Sequence, residues 1–456
     1  MIENRDTICA ISTPVGRGAI SLIRISGKDS VSIVREIFTG AKRVEEMEGG
    51  SIVHGWIIDP DTGERIDEVL VSVFREPHSY TGEDLIEIST HGGIVIPREV
   101  LKLLAKQGSR LAFPGEFTRR AFLNDKMSLL EAEALLNVIE AKTERGARLA
   151  EANLEGRLRR EIEEIKDTLL NIKTLLEATL DFEDRERLEI RREDIVNEMN
   201  RLRERLNALV LSYEGGKILI QGIDIAIVGK PNVGKSSLFN TILREDRAIV
   251  TALPGTTRDV LEGMVDIDGY PVRFMDMAGI RSPLNEPERK GIQRARQMID
   301  SADGILFLMD ISEPLSTADR KIYETIYRKP FIPVMNKSDL AHKVDSIPFP
   351  GNPVLVSAKE HTGINDLNEA VKELILHILP YDFGEDMVCT TERQADGIKR
   401  AIEFIDNGLG ILNNNGDLEL TAFDCGEAID GLKGLTGEIT EEEVLDRIFS
   451  KFCIGK

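Results

Sequence analysis

The apolar run Ile223–Val228 leads directly into Gly229-Lys-Pro-Asn-Val-Gly-Lys-Ser236, and this junction restricts the fold more than any other stretch of the chain. A strand that delivers such a loop into a helix makes a phosphate-binding turn, because the glycines let backbone N–H groups converge on a phosphate. Lys235 brings positive charge to the β- and γ-phosphates, and the Ser236 hydroxyl suits a magnesium ion. Asn232, Val233, Gly234 and Ser237 complete the loop as nucleotide contacts. Strand and helix signals alternate from here to about residue 378, which predicts a doubly wound parallel sheet of the P-loop, Ras-like kind.

Four more pieces of a nucleotide site follow in order. Thr251, Ala252, Leu253, Pro254, Gly255, Thr256 and Thr257 form a loop able to close on the phosphates, with Thr257 as the second magnesium ligand. An Asp268-Gly269 hairpin then leads through Val272–Met275 to Asp276, Met277, Ala278 and Gly279. There the carboxylate can hold magnesium through water and the Gly279 N–H can meet the γ-phosphate. Asn336, Lys337 and Asp339 come after the apolar strand Phe331–Met335. The Asp339 carboxylate can accept from guanine N1–H and the 2-amino group, a pair that adenine lacks, so the expected nucleotide is GTP. Ser357, Ala358 and Lys359, after Val354–Val356, close the base pocket.

The flanks have other textures. Residues 1–120 carry short β-rich runs (Ala19–Ile25, Ile52–Ile58, Val69–Phe74, Leu85–Ile88) and a helical spacing at Val100, Leu101, Leu103 and Leu104, so a mixed α+β domain is expected. Residues 121–220 read as long helices. Ile162, Ile165, Leu169, Ile172 and Leu176 share one stripe, and Ile195, Met199, Leu202, Leu206 and Leu209 share another. Gly215-Gly216 reads as the boundary to a nucleotide domain over 221–378, and residues 379–456 return to helix, so the nucleotide domain is an insertion in a helical one. The net charge of −21 argues against a protein that grips nucleic acid unaided. Four scattered cysteines argue for a reducing cytoplasm and against a zinc site, and no run of about 18 apolar residues suggests a membrane span.

Many GTPases place a glutamine directly after the Asp-x-x-Gly motif to orient water; here that position is Ile280. Together with Pro254-Gly-Thr-Thr-Arg-Asp259 and the final Phe452-Cys-Ile-Gly-Lys456, the phosphate loop resembles that of the MnmE (TrmE) family of tRNA-modification GTPases. The likeness extends to Pro14-Val-Gly-Arg-Gly18, Arg24-Ile-Ser-Gly27, Thr81-Gly-Glu-Asp84, His91-Gly-Gly93 and Pro114-Gly-Glu-Phe117. The chain departs from the pattern at Met277, where a threonine is usual, and at Pro254.

The resemblance implies a potassium ion between the phosphates, held by Asn232 with Thr251, Leu253 and Thr256, and a water-positioning Glu288. It also implies a tetrahydrofolate-binding N-terminal domain that forms the homodimer. Arg24, Glu87, Lys126 and Lys456 would then be ligands for 5-formyl-tetrahydrofolate. A flavin-containing (FAD) partner of the MnmG/GidA type, and wobble uridines of tRNA as substrate, complete that expectation. Cys453 reads either as an accessible thiol near the folate or as a small apolar residue packing the tail. The alternative function is a ribosome-assembly or other RNA-associated switch.

Overall fold

The computed structural model describes residues 6–181, 192–245, 262–276, 296–344, 347–379 and 389–456. These form two compact units, Met1–Leu136 with Lys433–Lys456, and Asn137–Leu432.

The first unit is built on a seven-stranded sheet. Its strands are β1 (Ile8–Ile11), β2 (Ile20–Ser26), β3 (Phe38–Gly40), β4 (Ser51–Ile58), β5 (Arg65–Phe74), β6 (Leu85–His91) and β7 (Arg110–Leu111), in the order β3-β4-β5-β6-β2-β1-β7. Every pair is antiparallel except β1 with β7. The strand residues alternate, so one face buries Ile23, Ile25, Val69, Val71, Ile86 and Ile88 against helices Ser30–Ile37 and Val95–Lys106. On the other face a smaller cluster of Ile8, Ala10, Leu85, Ala112 and Phe117 covers the β1 end. The tail helix Glu442–Phe449 packs Leu445, Ile448 and Phe449, with Phe452, on Leu129 and Ala132.

A charged network also lies inside this unit, with no counterpart in the sequence reading. The Arg120 side chain, 2% exposed, donates to Asp6, Glu83 and Glu116, and Arg110 also grips Glu116 and Asp6. Burial pushes the Glu116 carboxyl up, but the Arg110 hydrogen bonds and charge outweigh it and hold the carboxyl below its ordinary value.

The second unit holds a six-stranded sheet: β8 (Ile223–Val228), β9 (Glu262–Ile267), β10 (Tyr270–Asp276), β11 (Gly304–Asp310), β12 (Phe331–Asn336) and β13 (Val354–Leu355), ordered β13-β12-β11-β8-β10-β9. All pairs are parallel except the β9–β10 hairpin. Its turn is Asp268-Gly269, both at positive φ (51° and 84°), the backbone that a tight two-residue hairpin needs. All seven residues of β11 are buried, as expected for a central strand covered on both faces.

The two predicted helical stripes are buried faces of helices Arg157–Asp181 and Arg192–Gln221. One expectation is corrected: Gly215-Gly216 is not a boundary. The helix runs through both glycines to Gln221, and they are buried with Ile218, Leu219 and Ile220. Those three residues belong to the α/β core, so burial outweighs the roughly 1 kcal/mol cost of each helical glycine. The hairpin turn also meets the helical part of this unit. The Thr143 hydroxyl donates to Gly269 O (2.9 Å) and the Arg145 guanidinium lies over the Tyr270 ring, while Lys372, on helix Ile364–Ile378 of the α/β part itself, pairs with Asp268.

Candidate functional site

The phosphate loop joins β8 to helix Lys235–Glu245. Asn232 and Gly234 adopt positive φ (65° and 99°), which turns the intervening N–H groups inward. A Cβ on Gly234 would lie 2.2 Å from Asn336 Nδ2, so the position has no room for a side chain. That closeness has a purpose. Asn336, 1% exposed, donates from Nδ2 to Val233 O (2.7 Å) and accepts at Oδ1 from the Ala358 N–H (3.1 Å). One buried amide therefore joins the phosphate loop, the Asn-Lys-x-Asp motif and the Ser-Ala-Lys motif.

Lys235 Nζ donates to Gly229 O (2.9 Å) and Lys230 O (2.8 Å), which keeps its charge over the loop. Ser236 and Ser237 are exposed at the start of the helix, where N–H groups and the helix dipole favour an anion. In the Asn-Lys-x-Asp motif the Ser357 hydroxyl donates to Asp339 Oδ1 (2.6 Å) and holds that carboxyl below its usual range. Lys337, at φ 65°, pairs with the buried Asp310 at 2.5 Å. Burial would raise the Asp310 carboxyl, yet Lys337 and the Ser312 donors depress it. Lys359 is exposed and pairs with Glu360.

Asp310 and the Lys230–Asp319 pair (3.0 Å) escaped the sequence reading. The usable signal was an acidic residue closing an apolar run, as Asp310 closes Gly304–Met309. Residues 251–257, Met277, Ala278, Gly279 and Glu288 lie outside the described residues, and of Asp276 only its place at the end of β10 is described.

A second cluster sits on the first unit's sheet. Register pairs Arg24 with Glu87 across β2 and β6, and their side chains form an ion pair at 2.7 Å. Arg24 also reaches the Gly455 carbonyl (3.5 Å) and lies over the Tyr80 ring. Ser12 Oγ donates to Gly455 O and the Phe117 N–H to Lys456 O, so the tail is held against β1 and the cluster. Burial, then the nearby Arg24 charge, lowers the Lys456 ammonium pKa, the condition of a cation short of a counter-charge. Lys126 instead donates to Pro77 O from an exposed position. Cys453 is exposed, whereas Cys9, Cys389 and Cys425 are buried. The structure holds the Cys453 backbone through Gly115 N–H (3.4 Å). No helix among the described residues is long and apolar enough to cross a membrane.

A doubly wound sheet whose strand ends gather a phosphate loop, Asn-Lys-x-Asp and Ser-Ala-Lys defines a P-loop GTPase. Comparison with known proteins narrows the class. The profile described as the MnmE helical domain matches residues 129–453, and that of the GTP-binding protein TrmE N-terminus matches 7–126. The tRNA modification GTPase MnmE of Syntrophus aciditrophicus (strain SB) is 41% identical, over 99% of this chain and 100% of that protein. Its counterpart in Geotalea uraniireducens (strain Rf4) is 40% identical over 99% of both chains. That of Fervidobacterium nodosum is 41% identical over 99% of this chain and 98% of its own. The chain belongs to the MnmE family of tRNA modification GTPases.

Proposed function

We propose that this chain is a potassium-activated GTPase that works with a flavin-containing MnmG/GidA-type partner. Together they modify C5 of the wobble uridine of certain tRNAs with a tetrahydrofolate one-carbon unit. The observation that carries the reading is the meeting of Arg24, Glu87 and the Lys456 tail on one sheet face, although β2 and the tail lie 431 residues apart. A carboxylate beside two cations suits a folate, whose pterin edge donates hydrogen bonds and whose other end is anionic. Those groups bind and orient the cofactor; the cofactor itself supplies the one-carbon chemistry. The first unit would also form the homodimer.

At the nucleotide site, Asn232 is exposed and preset at positive φ, and Ile280 offers no water-orienting group. A monovalent cation held by Asn232, with Thr251, Leu253 and Thr256, would offset charge on the phosphates. Ser236 and Thr257 would hold magnesium, and Glu288 would position water. Residues 1–120 would form the folate-binding domain, 121–220 and 379–456 the helical domain and 221–378 the nucleotide domain, in a cytoplasmic protein.

Membership of a tRNA-modification family favours this reading over a ribosome-assembly switch. Two experiments test it. GTP hydrolysis should be much faster in KCl than in NaCl, and Asn232→Ala should remove the difference; equal rates in both salts for the unaltered protein would end the potassium assignment. Nucleoside analysis of tRNA from cells lacking the protein should reveal unmodified wobble uridines, and an unchanged profile would end the substrate assignment.

A further inference from the structure

The connection from β11 into helix Thr317–Ile326 carries two acidic residues that belong to none of the GTPase motifs. Asp310 ends β11 and pairs with Lys337 of the Asn-Lys-x-Asp motif, and Asp319 in the first turn of the helix pairs with Lys230 of the phosphate loop at 3.0 Å. The phosphate-loop pattern fixes two glycines, a lysine and a serine or threonine, and leaves position 230 open, so the lysine there has another cause. Asp319 is 0% exposed. Its Oδ2 accepts from the Ser316 N–H and hydroxyl, both at 2.7 Å, and from Lys230 Nζ. Its Oδ1 is buried with no hydrogen-bond partner among the described residues. The Ser316 bonds form the capping box of the helix and bring no formal charge. Lys230, 16% exposed, is the cation that answers this buried carboxylate. Such a pair is little screened by water, and removing one partner costs far more than in a surface pair.

Residue 230 works in two directions. Its side chain goes to Asp319, while its carbonyl accepts from Lys235 Nζ at 2.8 Å, beside Gly229 O at 2.9 Å. The direction of that carbonyl therefore helps to set where the Lys235 ammonium rests. Pro231 follows directly and narrows the backbone freedom of Lys230, which links the side-chain anchor to the carbonyl direction. The loop is also held on either side of this residue. A Cβ on Gly229 would lie 2.4 Å from Leu308 O, so the loop leaves β8 pressed against the β11 backbone. Further on, Val233 O takes the Asn336 amide at 2.7 Å. Between these two points the Lys230–Asp319 pair ties the loop to the helix start.

We propose that Lys230 is a positioning residue for the nucleotide: its ion pair with Asp319 fixes the first half of the phosphate loop and, through the Lys230 carbonyl, the place of the Lys235 ammonium. The proposal rests on the nucleotide reading of this loop and adds to it a support from outside the motif. Without the pair, the loop keeps its fixed points at Gly229 and Val233 but loses the one between them. The Lys235 charge is then less well placed for the β-phosphate, and affinity falls for any guanine nucleotide that carries one.

Titration of the full chain with a fluorescent GDP analogue, alongside thermal unfolding, tests this. Lys230→Met keeps the apolar stem and removes the charge, and should weaken GDP about tenfold, the scale of one hydrogen bond to a charged group. Lys230→Arg should recover most of that loss, since a guanidinium can serve the same carboxylate. Asp319→Asn should cost a similar factor, and the double variant with Lys230→Met should lose no more than the worse single one, because both break the same contact. Unchanged GDP affinity in Lys230→Met, even with a lowered melting temperature, makes the pair a support of the fold alone and overturns the proposal. Additive losses in the double variant, or an arginine no better than methionine, overturn it too. Lys230→Met leaves the Ser316 capping box intact, so the test stands even if Asp319→Asn folds poorly. If the unaltered protein does not bind GDP, the nucleotide reading itself fails and takes this proposal with it.

Discussion

The nucleotide site and the Arg24–Glu87 cluster are both polar sites built on sheets, yet they are assembled in opposite ways. Each piece of the first is a short local motif at the end of a parallel strand, and β8, β12 and β13 bring the pieces together by topology alone. The second has no local signature. Arg24 and Glu87 face each other because two antiparallel strands take one register, and Lys456 arrives from the far end of the chain. A one-residue slip of β2 against β6 would send Arg24 to the buried face and erase the cluster. Motif-built sites tolerate changes in the scaffold; register-built sites inherit every change in it.

The sharpest test of that contrast is Arg120→Met in the first unit. It takes one of two arginines from Glu116 and Asp6, which keep Arg110, so about 1–3 kcal/mol of stability should go. Thermal unfolding should then show the first unit melting early while GTP affinity, measured by fluorescent-nucleotide titration, stays unchanged. A parallel loss of GTP affinity would break the contrast. Gly234→Ala should do the reverse: collision with Asn336 and the positive φ should lower GTP affinity by about 100-fold, or roughly 2.7 kcal/mol, with the melting of the first unit unchanged.

A smaller effect is expected from Ser357→Ala. Loss of the hydroxyl that orients Asp339 should weaken GTP by about fivefold, near 1 kcal/mol, and should weaken it more than ATP. Equal losses for the two nucleotides would remove Asp339 from base reading. The smallest effect per group concerns pH. The Glu116 and Asp6 carboxyls both lie below their unfolded values, so their contribution is present above those values and lost as pH falls through the folded ones. Melting curves of the first unit between pH 7 and about pH 3 should therefore drop only at the acid end. A fall beginning near neutrality would point to other groups instead.

The unequal legibility of the chain follows from the same contrast. Strand Ile223–Val228 was read to the residue because a continuous apolar run ends at a glycine-rich loop. The stripes of helices Arg157–Asp181 and Arg192–Gln221 were equally plain, since each repeats every three or four residues. Gly215-Gly216 misled because local helix propensity says nothing about the core that Ile218–Ile220 would enter. The Arg120 network and the Lys230–Asp319 pair were invisible for a related reason. Their partners are brought together by packing and burial, which no spacing along the chain encodes. Asp310 lay between these cases: its place at a strand end could be read, but its Lys337 partner could not.

The Asn336 side chain carries a consequence of its own. Because one amide is tied to Val233 on one side and to Ala358 on the other, phosphate cradle and base pocket have no independent settings. A purine that shifted Ala358 would pull on the anchor of Val233, so a mismatch at the ring would be felt at the far end of the nucleotide through a single buried rivet.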